Sequence, residues 1–181
     1  NLNRQRFFDE DLYRNKATSL AKNLVKEATD SSILIGHPLS FKDAVARGLD
    51  LDGDVIVCGV DNNSTRVEVC RHYLGKRPVV YLGVDELADH GYVFVQERKG
   101  PCFACLFPHA LDDEDAGQCA RVGAVKDILK VVAGIALSTV DSLLMERRRA
   151  WNYRELSLAG FVPDATKMLE QRGSCPICVP I

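Results

Sequence analysis

Two short cysteine pairs constrain this chain most. Cys102 and Cys105 stand in "CFAC", and Cys175 and Cys178 stand in "CPIC" close to the last residue. Each CxxC turn offers two sulfurs from one knuckle. Four thiolates in two such pairs make the donor set of a structural zinc site. With residues 106–174 between the pairs, the set reads as a clip from the middle of the chain to its tail, not as a compact finger. The tail is then ordered by Zn²⁺. The alternatives are two redox motifs or four ordinary thiols. A redox pair usually opens a helix, favouring its thiolate there, and "CPIC" leaves too little chain for one. A closed site with four cysteine ligands is structural, so no catalysis is assigned to it.

The chain has seven cysteines and no signal-peptide pattern at its start. A reducing, cytoplasmic compartment is therefore expected. Cys58 and Cys70 fall in apolar surroundings and read as small buried hydrophobes. Cys119 differs, because it sits in a polar loop just before a helix, near Arg121. A helix N-terminus and a cation both favour thiolate, which makes Cys119 the candidate nucleophile, with His109 in the same loop. The net charge of -2 gives no electrostatic reason to expect nucleic acid or an anionic membrane as partner. The longest apolar run, Val131 to Leu137, is far short of the ~20 residues that span a bilayer. Arg147 to Arg149 read as a solvated helix end.

The run Val55 to Val60 is bounded by Asp and Gly before it and Asp61 after it. It reads as an interior strand covered on both faces. A helix over Ser64 to Leu74 and a second buried strand over Val79 to Val84 complete a βαβ unit of an α/β fold. Apolar spacing predicts a helix over Asp9 to Glu27, a short strand over Ser31 to Leu39 and a brief helix over Phe41 to Arg47. Further strands are expected at Tyr92 to Gln96 and within Trp151 to Pro163. An irregular loop, a long helix over Gly123 to Arg148 and a short helix over Asp164 to Gln171 make up the rest. The long helix is apolar nearly all round, so it needs cover from a core or a second subunit.

Four stretches in order, "NLNRQ", "LYRNKA", "VDNNSTR" and "PCFACLFP" with a late CxxC, resemble the ThiF/MoeB family of E1-like adenylyltransferases. Such enzymes use ATP to activate the C-terminus of a ubiquitin-like or sulfur-carrier protein. The resemblance implies a Rossmann-like adenylation domain over residues 1–181. Its parts are a Rossmann-like portion (1–100), a zinc knuckle with crossover loop (101–120), and a long helix, strand region and tail knuckle (121–181). It implies that Arg4, beside Asn1 and Gln5, contacts ATP phosphates and that Lys16 reaches the nucleotide. It implies that Asp61, followed by Asn62 and Arg66, holds Mg²⁺. Cys119 matches the loop thiol that some members use for thioester or persulfide chemistry. Tyr13 stands where members usually carry Gly, which puts the turn there in question, and Asp141 stands where the usual acid is Glu.

The roles are chemically coherent. Adenylation brings a carboxylate onto a phosphate, so cations must offset the charge of two anions. The C-terminal end of a buried strand is where α/β sheets place such groups. The glycine-rich GxGxxG element with which the family opens is absent from these 181 residues. The expectation is a chain carrying the later part of the domain, as a homodimer or paired with a missing N-terminal segment. The alternatives are a non-catalytic half that binds the carrier or scaffolds a partner, and a bare zinc-stabilised interaction domain.

Overall fold

The computed structural model describes residues 6–29, 32–85, 89–111, 126–160 and 163–178. The chain divides into two units, residues 1–51 and 52–181.

In the first unit, the helix expected over Asp9 to Glu27 is broken. A 3₁₀ turn (Asp9–Asp11) precedes α1 (Lys16–Leu24), and a second 3₁₀ turn follows at Val25–Glu27. The break is at Tyr13, whose φ is 64°. Asn15 then caps α1, its side chain accepting from the N–H groups of Ala17 and Thr18. Ser40 caps α2 (Phe41–Ala46) in the same way. The strand expected at Ser31 to Leu39 is not formed among the described residues 32–38. Ile33 is 84% exposed there, and no strand pairs with the segment. Gly36 passes so close to α1 that an added Cβ would sit 2.3 Å from the Ala17 carbonyl oxygen.

The second unit is built on a sheet of β1 (Ile56–Cys58), β2 (Val79–Val84), β3 (His90–Gln96), β4 (Tyr153–Ser157) and β5 (Ala165–Lys167), in that spatial order. β1 and β2 are parallel, joined by α3 (Asn63–Tyr73), as the βαβ reading requires. The later pairs are antiparallel. β1 lies at the edge of this sheet, and Val57 is 54% exposed. Among the described residues, then, nothing covers the Val57 face of β1, where its apolar run suggested an interior strand covered on both faces.

Alternation along β2 and β3 sends side chains to two faces. Val80, Val93 and Leu156 pack against Ile128, Val132 and Ala136 of α5 (Lys126–Leu144). Tyr81 stacks on the other face with Phe94, at 6.1 Å between ring centroids, and with Phe103 of α4 (Phe103–Leu106), at 4.7 Å. α5 comes down on β3 at Gly91, where an added Cβ would lie 2.3 Å from Val132 Cγ2.

α5 ends earlier than expected. Glu146 adopts φ 51°, the Arg147 N–H reaches back to the Ser142 carbonyl, and the Glu146 N–H to that of Leu143. This is a Schellman closure. The helix expected at Asp164 to Gln171 is instead β5 and an extended tail. Asn152 competes for that backbone: its N–H donates to the Lys167 carbonyl, and its side chain exchanges two bonds with Leu169. No helix among the described residues is long and apolar enough to cross a membrane.

Candidate functional site

The first knuckle is carried by α4. Its N-terminal turn places Cys102 just before the helix and Cys105 within it, the Cys105 N–H donating to the Cys102 carbonyl. Gln96 fixes this turn from the end of β3. Its side chain is 1% exposed; Nε2 donates to the Cys70 carbonyl on α3, and Oε1 accepts from the Phe103 N–H. A single amide therefore ties β3, α3 and the knuckle together.

The tail comes back to meet it. Cys102 Sγ lies 3.5 Å from Cys175 Sγ and 3.9 Å from Cys105 Sγ, and Cys105 Sγ lies 3.3 Å from Cys178 Sγ. All four sulfurs fall within 4.8 Å of one another. Sulfurs about 2.3 Å from a central ion stand about 3.8 Å apart in a tetrahedron, so the spacing and chemistry fit Zn²⁺. Cys102 and Cys175 are buried, the other two half-buried. The Arg172 N–H donates to Cys105 Sγ at 3.4 Å, the kind of outer contact that orients a metal-bound thiolate.

Proton affinities in the set diverge. Contact with the Cys70 thiol, then burial, pushes Cys102 up. Burial pushes up Cys105 and Cys178. Burial also raises Cys175, but the N–H groups of Cys178 and Ile177, together with the Cys102 and Cys178 thiols, outweigh it and bring it down to about 7. Four thiolates this close need a dication, so a metal entering here displaces protons. Cys70 is more than the inert hydrophobe that its sequence context suggested, since its sulfur is a fifth thiol against Cys102.

The second cluster of interest follows β1. Asn62, not Asp61 or Ser64, caps α3, its Oδ1 accepting from the Thr65 N–H at 2.8 Å. Arg66 reaches back, donating through Nη2 to the Val60 carbonyl at 2.7 Å and through Nη1 to Asn63 Oδ1 at 3.0 Å. The turn holding Asp61 is thus clamped on both sides. Its carboxylate is exposed and has no part in the helix cap.

Lys16 belongs to the first unit, where it is the exposed first residue of α1. Before it, Asp11 Oδ2 accepts from the Phe8 N–H and from Asn23 Nδ2, and these bonds hold its carboxyl below the usual range. Arg6 pairs with Glu27. Asn1, Arg4, Gln5 and Cys119 lie outside the described residues. Tyr13 answers the question raised by its missing glycine. It takes the left-handed conformation that glycine would favour there, with its ring fully exposed.

A model of the ThiF family matches residues 1–176. The chain belongs to the ThiF family. It is 27% identical over 177 residues to the adenylyltransferase and sulfurtransferase MOCS3 of Xenopus laevis, covering 88% of this chain and 38% of that protein. It is also 27% identical over 129 residues to the SAMP-activating enzyme E1 of Haloferax volcanii, covering 69% of this chain and 46% of that one. Among solved structures it resembles Escherichia coli MccB with ATP, with a TM-score of 0.71 and 14% identity, over 96% of this chain and 53% of that chain. A complex of MccB with N-formylated MccA gives a TM-score of 0.68 at 13% identity, over 96% of this chain and 54% of that chain. The chain spans about half the length of these structures and less than half of the relatives. At these identities the structural likeness establishes a shared fold.

Proposed function

We propose that this ThiF-family chain is part of an ATP-dependent activating enzyme. Its substrate is the C-terminal carboxylate of a ubiquitin-like or sulfur-carrier protein, or of a peptide. The observation that carries the reading is the Asp61 turn: an exposed carboxylate at the C-terminal end of β1, relieved of capping by Asn62 and held by Arg66. Relatives whose names include adenylyltransferase and activating enzyme support it.

In the reaction a carboxylate oxygen attacks the α-phosphorus of ATP, a P–O bond to the leaving group breaks, and pyrophosphate departs. Arg4 and Lys16 offset the phosphate charge, with Asn1 and Gln5 beside Arg4. Asp61 would hold Mg²⁺, which when bound neutralises charge spread over the phosphoryl oxygens, with Asn62 beside it toward the nucleotide. Cys119 takes the activated acyl group: the C–S bond forms, AMP leaves, and the thiol proton goes to solvent. The four cysteines take no part in the chemistry; with Zn²⁺ they clip the tail to α4. A second copy of the chain is the proposed cover for Leu137 and Leu144, which α5 leaves exposed.

One observation favours a second reading. These 181 residues hold no GxGxxG; for a complete protein that also lacks it, the alternative is a non-catalytic half that binds the carrier or scaffolds a partner. Equilibrium dialysis of radiolabelled ATP against the complete protein separates the two. Saturable, Mg²⁺-dependent binding is expected for the enzyme, and its absence leaves the scaffold.

A further inference from the structure

A second polar cleft lies on the α5 side of the sheet, three strands away from the β1 end that carries Asp61. It measures about 450 Å³ and runs between α5 and the start of β4. Its charged lining is Lys130, Arg149 and Arg154, and no Asp or Glu lines it. Ser138 adds a hydroxyl, and Trp151 and Val131 form apolar walls.

Two of these cations are in an unusual state. The Arg149 side chain is only 9% exposed. Its Nη2 donates to Glu97, which lines a neighbouring cleft. Its Nε and Nη1, and the Nε of Arg154, are buried with no acceptor among the described residues. Burying charged donors without acceptors is costly, and because Arg149 and Arg154 form a wall of the cleft, a small movement of their side chains would bring these donors to an acceptor lodged there. The sequence context of Arg147 to Arg149 suggested only a solvated helix end; the Schellman closure of α5 instead turns Arg149 inward.

We propose that this cleft is an oxyanion site, taking a phosphate or carboxylate group against Arg149, Arg154 and Lys130. Guanidinium forks match the planar and tetrahedral oxygens of such groups, and the ammonium adds a point charge. The volume suits a small ligand. The same chemistry has a second source, an acidic side chain of a polypeptide, and the two are separable by experiment. Nothing in the proposal depends on adenylation.

The test uses the full chain at constant ionic strength, following the Arg Nε–H resonances by NMR during addition of inorganic phosphate or of a blocked Gly-Glu-Gly peptide. A saturable shift of the Arg149 and Arg154 signals is expected. Phosphate saturating alone supports the small ligand. The peptide saturating at lower concentration supports the polypeptide carboxylate. Arg154→Gln removes one fork, and affinity should fall about tenfold or more. Gly134→Glu is the second variant. An added Cβ at Gly134 meets nothing within 4 Å, and Glu is a better helix former than Gly, so the fold is kept while a fixed carboxylate occupies the cleft. It should abolish the shift. Lys99→Gln, outside this lining, should change nothing. No saturable shift with either probe, or the same shift in Arg154→Gln and Gly134→Glu, would overturn the proposal and assign the guanidiniums to ordered water.

Discussion

At the scale of single residues, three positions show how local chemistry shapes the backbone around them. Tyr13 pays for a left-handed turn that glycine adopts without strain; the conformation costs an L-residue about 1–2 kcal/mol. Its ring is fully exposed, so removing it forfeits no packing. Tyr13→Gly should stabilise the first unit by up to about 1 kcal/mol, part of the relief being lost to the freer unfolded chain. Denaturant unfolding checks the sign, and a destabilised variant would mean that the ring makes an unseen contact. Asp61 became a candidate through the resemblance and its place after an apolar strand run, although capping the next helix is an equally ordinary role for an acid there. Its release from the cap was not legible: Asp61, Asn62 and Ser64 all suit the task, and only the turn geometry assigns it to Asn62. Gln96 was invisible to sequence reasoning, because nothing in "VFVQER" signals that its amide bridges α3 and α4.

Secondary elements followed the sequence where burial and propensity agreed, as in β2, α3 and β3. They departed from it where a side chain intervened. Asn152 drew residues 165–167 into the sheet, and Tyr13 split the first helix. The run Val55 to Val60 reads as interior because apolarity reports that a strand is expected to be covered, not what covers it; among the described residues it forms an edge. Gly91 is a requirement of the α5–β3 approach. Gly91→Ala would set a methyl against Val132 Cγ2 and should destabilise the second unit by about 1–3 kcal/mol, read as a lower urea midpoint. The Arg77 guanidinium donates to both oxygens of Asp52, at 2.7 and 2.5 Å, and pins the approach to β1 beside the approach to β2. This pair holds the Asp52 carboxyl down to about 2, from 3.8. A depressed folded-state value stabilises above the unfolded one and is lost as pH falls through the folded one. The contribution should therefore fade between pH 4 and pH 2. Asp52→Asn should remove that part of the acid limb while leaving the pH 7 melting curve only slightly lower.

At the scale of the whole molecule, the four-cysteine cluster is the structural device, and the Asp61 turn is where the proposed chemistry would sit. The two CxxC pairs announced their partnership in the sequence, since metal-ligand spacing carries its own geometry. The sequence could not show that Gln96 and Cys70 tie the clip to α3, the helix that begins after Asp61. Metal analysis should find about one zinc per chain. Cys175→Ala should release it and expose the backbone amides of residues 171–178 to faster hydrogen exchange; retained zinc would mean a different ligand set. The central claim is that the Asp61 turn serves adenylation. Its most direct test is ATP–pyrophosphate exchange by the complete protein with candidate carriers, comparing the wild type with Asp61→Asn at matched thermal stability. The account predicts carrier-dependent exchange that falls about a hundredfold or more in the variant. Equal exchange by the two proteins would contradict it.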